Sequence, residues 1–425
     1  KQGFPKFEIM TRKEIPVLLL TGYLGSGKTT LLNRILSNRR GIRFAVIVND
    51  IGEVNIDASL IRKGGIVGND ADSPDLVALQ NGCICCTLKM DLVEQISDLV
   101  AAGDFDYIVV EASGVCEPAP IAQTICSIPR MEARYTRGGI PRLDCIVTVV
   151  DALRLQSEFA CGGSLQRQDL GEDDIERLII EQIEFCNVIL LNKISEVTAE
   201  EAGRIRAIVR AIQPKARIIE CDYADVDLNM IVGTGDFDFE SVATSAAWVQ
   251  GIEKPVDEED DHHHEHHDEH EHHHDHHDHH DHGHHHHHHH HDGEGDATEY
   301  GIETFVYYRR QAFDLNRFDY LVTKNWPAGI IRTKGVLYFS HNTDMSWLFE
   351  QAGVQKDLKQ SGLWYATAPA EELEQFLAAD PQLRRDWDEK YGDRMVKLVV
   401  IGQNLDRAAI TAAFDSCLAK GGLSL

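Results

Sequence analysis

A lysine and a threonine behind three spaced glycines carry the first chemistry in the chain. Gly22-Tyr23-Leu24-Gly25-Ser26-Gly27-Lys28-Thr29 fits the pattern G-x-x-x-x-G-K-[ST]. Glycines there let successive N–H groups wrap a β-phosphate, and the helix N-terminus that follows adds favourable potential. Lys28 would reach the β- and γ-phosphates, the Thr29 hydroxyl would ligate Mg2+, and Thr30 shares the same helix start. Glu111-Ala112-Ser113-Gly114 follows a strand-like run. A strand-end carboxylate there can hold Mg2+ through water, and the Gly114 N–H can face the γ-phosphate and sense hydrolysis. Asp151 competes for the acidic role; Glu111 is preferred because Gly114 accompanies it. Asn192-Lys193 stands where many GTPases read guanine with N-K-x-D, but position 195 is serine. The carboxylate that would accept guanine N1–H and N2–H is missing from the motif.

A second chemistry lies in Gly82-Cys83-Ile84-Cys85-Cys86. Thiolates are soft, strong ligands for Zn2+ and Cu+. Three of them leave a fourth tetrahedral position for water, a carboxylate or an acceptor's ligand, which suits transfer better than permanent binding. Buried structural thiols or a redox pair are the competing readings. The remaining cysteines are scattered singly and read as small buried residues. The loop 49–57 carries Asp50, Glu53 and Asp57, whose carboxylates either approach phosphate, Mg2+ or thiolates or simply face solvent. The third feature is a tract containing 22 of the 23 histidines, interleaved with Asp and Glu and ending in the run 284–291. Neutral imidazoles bind Zn2+, Ni2+, Co2+ and Cu2+, and neighbouring carboxylates concentrate cations. A flexible chain of this length spans about 35–40 Å, enough to hand metal to the cysteines.

Elements must position these groups. Strand-like apolar runs at 17–20, 44–48, 76–79, 107–110, 145–150, 188–191 and 218–220 alternate with helix-like stretches at 31–38, 88–101, 174–185 and 198–212. That alternation predicts an α/β fold, a P-loop NTPase domain with a largely parallel sheet. The His/Asp/Glu tract cannot bury a core. Globular composition resumes after it, with strands expected at 304–308, 335–339 and 396–401 and helices at 315–323 and 407–418, giving a smaller C-terminal α/β domain. The expected division is 10–240, a linker at 253–298, and 299–425.

Composition narrows the function classes. The chain has 425 residues, 43% hydrophobic, and a net charge of −28. Removing the 15 acidic residues of 257–296 leaves −13 on the rest. An acidic chain of this kind excludes nucleic-acid binding through phosphate contacts. No run of about 18 apolar residues exists, so no membrane helix is expected. No secretory signal is evident, and Met10 reads as the natural start. Ten cysteines in a large chain of this type read as reduced thiols in the cytoplasm.

The P-loop, the switch-like Gly52-Glu53-Val54-x-Ile56-Asp57, the Gly82-Cys83-Ile84-Cys85-Cys86 element and Glu111-x-x-Gly114 occur in this order. Together they resemble the CobW-type metallochaperone GTPases, relatives of the urease and hydrogenase nickel-insertion GTPases. Asn325-Trp326-Pro327 and the stretch 400–405 resemble the CobW C-terminal domain. Within the family the chain is similar to the subgroup tied to zinc starvation. The resemblance implies GTP-dependent metal delivery to client metalloproteins, with GTP, Mg2+ and Zn2+ (or Co2+ or Ni2+) as ligands. It also implies that Cys83, Cys85 and Cys86 hold metal, with Asp50 and Glu53 nearby, and allows a nucleotide- or metal-dependent homodimer. Two departures stand out: Asp50 where the family usually has Glu, and Ser195 where it usually has Asp. A cobalt or nickel insertion factor and a non-enzymatic metal buffer remain open alternatives.

Overall fold

The computed structural model describes residues 13–37, 41–48, 89–158, 173–253 and 300–420. Six strands, β1 (Glu14–Thr21), β2 (Phe44–Val48), β3 (Tyr107–Glu111), β4 (Ile140–Asp151), β5 (Val188–Asn192) and β6 (Arg217–Glu220), form one sheet in the order β2-β3-β1-β4-β5-β6. Every pairing in it is parallel. Adjacent residues of β1 point to opposite faces. Val17 and Leu19 join a core with helices on one side, and Leu18 and Leu20 join a core with Leu31, Leu32 and Ile35 on the other. All of β3 and β5 is buried, which is why these strands read as unbroken apolar runs. The expected strand at 76–79 lies outside the described residues.

The chain leaves β1, passes to β2 at the edge, returns to β3, and then crosses β1 to reach β4. That reversal opens a crevice at the carboxyl ends of β1, β3 and β4, where open parallel sheets bind ligands.

Strand β4 is longer than its apolar run suggested. It begins at Ile140, and the register with β1 shifts between Val17, paired to Leu143, and Leu18, paired to Cys145. Asp144 is the extra residue of that bulge. It is wholly buried and accepts hydrogen bonds from the Tyr107 hydroxyl (2.6 Å), Thr234 N–H (3.0 Å) and Gly235 N–H (2.6 Å).

Eight helices accompany this sheet among the described residues: α1 (Lys28–Leu36), α2 (Lys89–Ala102), α3 (Pro118–Ser127), α4 (Ala152–Glu158), α5 (Asp173–Glu184), α6 (Ala199–Ile212), α7 (Phe239–Ala243) and α8 (Ala247–Glu253). Helix α6 opens with a reciprocal cap, Thr198 accepting from Glu201 N–H while the Glu201 carboxylate accepts from Thr198 N–H.

The C-terminal unit is a five-stranded antiparallel sheet: β7 (Ile302–Arg309), β8 (Ile330–Phe339), β9 (Asn342–Ala352), β10 (Gln355–Leu363) and β11 (Val396–Gln403), ordered β10-β9-β8-β11-β7. One face packs an aromatic core, including Phe313, Phe318, Phe339, Phe349 and Phe414, with α9 (Leu315–Lys324) and α12 (Arg407–Asp415). Two further helices, α10 (Ala370–Ala379) and α11 (Pro381–Arg385), follow β10. The opposite face meets the first unit. Helix α8 lies on β11, where a Cβ at Gly251 would stand 2.5 Å from Val399, and Lys397 donates to the Ile252 carbonyl (3.0 Å) near the helix end. Among the described residues no helix is long and apolar enough to cross a membrane.

Candidate nucleotide-binding site

Strand β1 ends at Thr21, and the loop after it needs its glycines. Gly22, Gly25 and Gly27 have φ of 133°, 77° and 113°, a region that side chains strongly disfavour. A Cβ at Gly22 would fall 2.3 Å from the Val149 carbonyl, and one at Gly27 would fall 2.4 Å from Asn192 Nδ2. Lys28 opens α1 and curls back across the loop, its Nζ donating to the carbonyls of Gly22 (2.7 Å) and Tyr23 (3.2 Å). Ser26 Oγ and Thr21 Oγ1 are buried and have no hydrogen-bond partner among the described residues. An unsatisfied buried hydroxyl costs about 1–3 kcal/mol, and two beside a glycine cradle suit an incoming anion. Thr29 is half-buried and Thr30 exposed. Thr29 and the buried Glu111 supply only hard oxygen donors, the set that fits Mg2+.

Glu111 closes β3 in register with Leu20 of β1 and Val48 of β2. The loop beyond it lies on the phosphate loop: a Cβ at Gly114 would stand 2.7 Å from Leu24 N. Gln182 of α5, buried, donates from Nε2 to the carbonyls of Gly114 and Cys116, both at 3.2 Å. Sequence reasoning missed Gln182; the available signal was a lone amide on the apolar face of a predicted helix.

Beyond the phosphate loop, β5 delivers Asn192, which is buried. Its Nδ2 donates to the Ser26 carbonyl (2.8 Å), and its Oδ1 accepts from Ala224 N–H (2.9 Å). One amide thus ties the phosphate loop to the loop after β6. Lys193 adopts φ 60° and pairs with Asp151. The two acidic candidates therefore separate: Asp151 is engaged with Lys193 at the ends of β4 and β5, while Glu111 lies at the end of β3. Ser195 donates from its N–H (3.0 Å) and its hydroxyl (2.8 Å) to Oδ1 of Asp222. Asp222 was not singled out from the sequence. Burial, with Asp222 beside it, pushes the Cys221 thiol up to about 11, so it stays protonated near neutral pH. Of the six described cysteines five are buried and Cys126 is partly so, and none is in a disulfide.

Asp50, Glu53, Cys83, Cys85, Cys86 and the histidine tract lie outside the described residues. Among the described residues no three metal-holding side chains converge.

Residues 16–220 match the family described as CobW/HypB/UreG, nucleotide-binding domain, and residues 302–418 match the cobalamin synthesis protein cobW C-terminal domain. The Zinc-regulated GTPase metalloprotein activator 1 of Dictyostelium discoideum is 32% identical over 98% of this chain and 82% of its own length. The chain belongs to the CobW/HypB/UreG family. Two bacterial relatives cover less of this CobW-family chain. The Zinc chaperone CobW of Pseudomonas aeruginosa is 33% identical over 55% of the chain and 62% of its own length. The Zinc chaperone YjiA of Escherichia coli is 32% identical over 54% of the chain and 65% of its own length. The two family segments fall on the two sheets, residues 16–220 ending with β6 and residues 302–418 beginning with β7.

Proposed function

We propose that this chain is a GTP-hydrolysing metallochaperone that delivers zinc to client metalloproteins and couples its nucleotide state to its grip on metal. One observation carries the reading: Lys28, the buried Ser26 hydroxyl and the Asn192 amide meet at one glycine cradle, in a chain similar throughout to a zinc-regulated GTPase. Gly22, Gly25, Ser26, Gly27, Lys28, Thr29 and Thr30 hold the phosphates. Thr29, and Glu111 through water, hold Mg2+, which when bound neutralises charge building on the β- and γ-oxygens. Gly114 presents its N–H to the γ-phosphate, and Asn192 and Lys193 flank the base. Cys83, Cys85 and Cys86, with Asp50 or Glu53, take zinc as cargo, and the tract at 253–298 collects it. Val48, the last residue of β2, is level with Glu111, so β2 ends at the same carboxyl end of the sheet as the phosphate loop. Each ligand alters affinity for the other, and for binding that influence is reciprocal. The work is cytoplasmic, with division into a GTPase unit, a metal-collecting linker and a C-terminal unit.

The test pairs two variants of the full chain. Lys28→Ala should lower GTP turnover by about 100-fold, the usual scale for losing a charged group at a transferring phosphoryl, while zinc still binds. Cys85→Ser should weaken zinc. Turnover unchanged in Lys28→Ala would remove the enzymatic reading. Calorimetry should also show GTP binding with different affinity when zinc is present; equal affinities would remove the coupling.

A further inference from the structure

The sequence leaves guanine without its usual reader. A carboxylate at the last position of N-K-x-D accepts from guanine N1–H and N2–H, and it repels adenine, whose N1 is a lone-pair acceptor. Ser195 cannot do this with a neutral hydroxyl, and its hydrogen is already engaged with Asp222.

That engagement places a carboxylate one hydrogen bond from the motif position. Oδ1 of Asp222 accepts from both Ser195 N–H (3.0 Å) and Ser195 Oγ (2.8 Å), and among the described residues its Oδ2 has no hydrogen-bond partner. The side chain is half-buried, not wholly withdrawn from ligand. Strands β5 and β6 are neighbours with Leu191 level with Glu220, so the loops bearing Ser195 and Asp222 leave the sheet side by side.

The loop around Asp222 is held rather than loose. Ala224 N–H is bound by Asn192, whose other end holds the phosphate loop. Arg34 of α1 donates to the Tyr223 carbonyl (2.8 Å) and to Asp225 (2.7 Å). Tyr223 and Ala224 have φ of 51° and 52°, left-handed conformations that cost non-glycine residues about 1–2 kcal/mol each. Such strain persists where surrounding structure imposes it, and it concentrates at ligand sites. The loop is thus fixed by bonds from the phosphate loop and the helix after it.

We propose that Asp222 supplies the carboxylate that selects guanine, Ser195 having exchanged the motif's acceptor for a donor that aims it. The proposal rests on the GTP reading above. With Oδ1 occupied by Ser195, Oδ2 receives guanine N1–H and N2–H.

The experiment displaces a fluorescent GTP analogue from the full chain with Mg2+, using GTP, ATP and XTP as competitors. The wild type should prefer GTP to ATP. Asp222→Asn keeps a carbonyl for Ser195 but presents an N–H2 in place of the second oxygen, which matches the 2-oxo group of xanthine. It should bind GTP about 10- to 100-fold more weakly, the scale of one or two charge-assisted hydrogen bonds. It should gain XTP and leave ATP unchanged, the last showing an intact fold and phosphate site. Asp222→Ser should lose the GTP preference without gaining XTP. A wild type that binds ATP as tightly as GTP would overturn the GTP reading itself. A GTP-selective wild type whose preference survives in either variant would overturn the assignment of Asp222 alone, leaving it a brace for the Ser195 turn.

Discussion

Asp144 shows how much one buried carboxylate can organise. As the bulged residue of β4 it has no ladder partner on β1, yet it satisfies two backbone N–H groups and a phenol from two distant segments. Burial and the Asp144 hydrogen bond raise the Tyr107 hydroxyl above its usual range, so it remains a neutral donor. Asp144→Ala would strand three donors, each costing about 1–3 kcal/mol when buried and unmet. The expected loss is at least about 3 kcal/mol in urea denaturation, with GTP affinity kept because the site lies at the other end of β4. An unchanged midpoint would show that Asp144 organises nothing. Gly114 makes the opposite case, a position where nothing can be added. Gly114→Ala would force the loop off Leu24 and should slow GTP turnover about tenfold or more, since misplacement of about 1 Å near reacting atoms is costly. Single-turnover hydrolysis measures it, and a wild-type rate would deny the loop its sensing role.

At the scale of elements, the interface between α5 and the second sheet is ionic as well as apolar. Arg177 of α5 reaches Glu181 (2.8 Å), Asp357 of β10 (3.3 Å) and Glu350 of β9 (3.9 Å), while Lys334 of β8 binds Glu350 at 3.0 Å. Burial pushes Glu350 up, but Lys334, Arg332 and Arg177 outweigh it and hold its carboxyl below the usual range. A depressed carboxyl contributes stability that is complete above the unfolded value of about 4.3. That stability is lost as pH falls through this value and the lower folded one. The denaturation midpoint should therefore drop between about pH 5 and 3 more steeply in wild type than in Glu350→Gln; parallel curves would contradict the pairing. The same interface explains what the sequence concealed. Strands β2 and β5 were legible because both faces are apolar. Strands β9 and β10 were not, because Glu350, Asp357, Lys356 and Lys359 interrupt any apolar pattern there, and a charged partner helix accounts for Glu350 and Asp357 only once the fold is known. β4 read short because Asp144 looked like an end, and α3 was hidden by Pro118, which suits a first helical turn. The phosphate loop was legible because its chemistry is local in sequence. The Asn192 bond to Ser26 and the Gln182 bond to Gly114 join segments far apart in the chain, which no local pattern encodes.

Across the whole molecule, α5 joins the phosphate-side loops to the second sheet within a single helical turn. Gln182 holds the Gly114 loop, and two residues later Glu184 accepts a two-pronged pair from Arg332 of β8, at 2.8 and 2.9 Å. Both side chains are almost fully buried, at 1% and 8% exposure. Two charges taken out of water gain little over an apolar pair of similar volume, but removing one strands the other. Arg332→Met and Glu184→Leu should each cost about 3–5 kcal/mol, whereas the double variant should cost far less than their sum. Chemical denaturation of all four proteins closes the cycle. Additive costs would mean that the Arg332–Glu184 pair does not itself join the two sheets. A large coupling would mean that a shift of α5 cannot free the Gly114 loop without also loading the Arg332 contact, so that the C-terminal sheet opposes or assists whatever the nucleotide does.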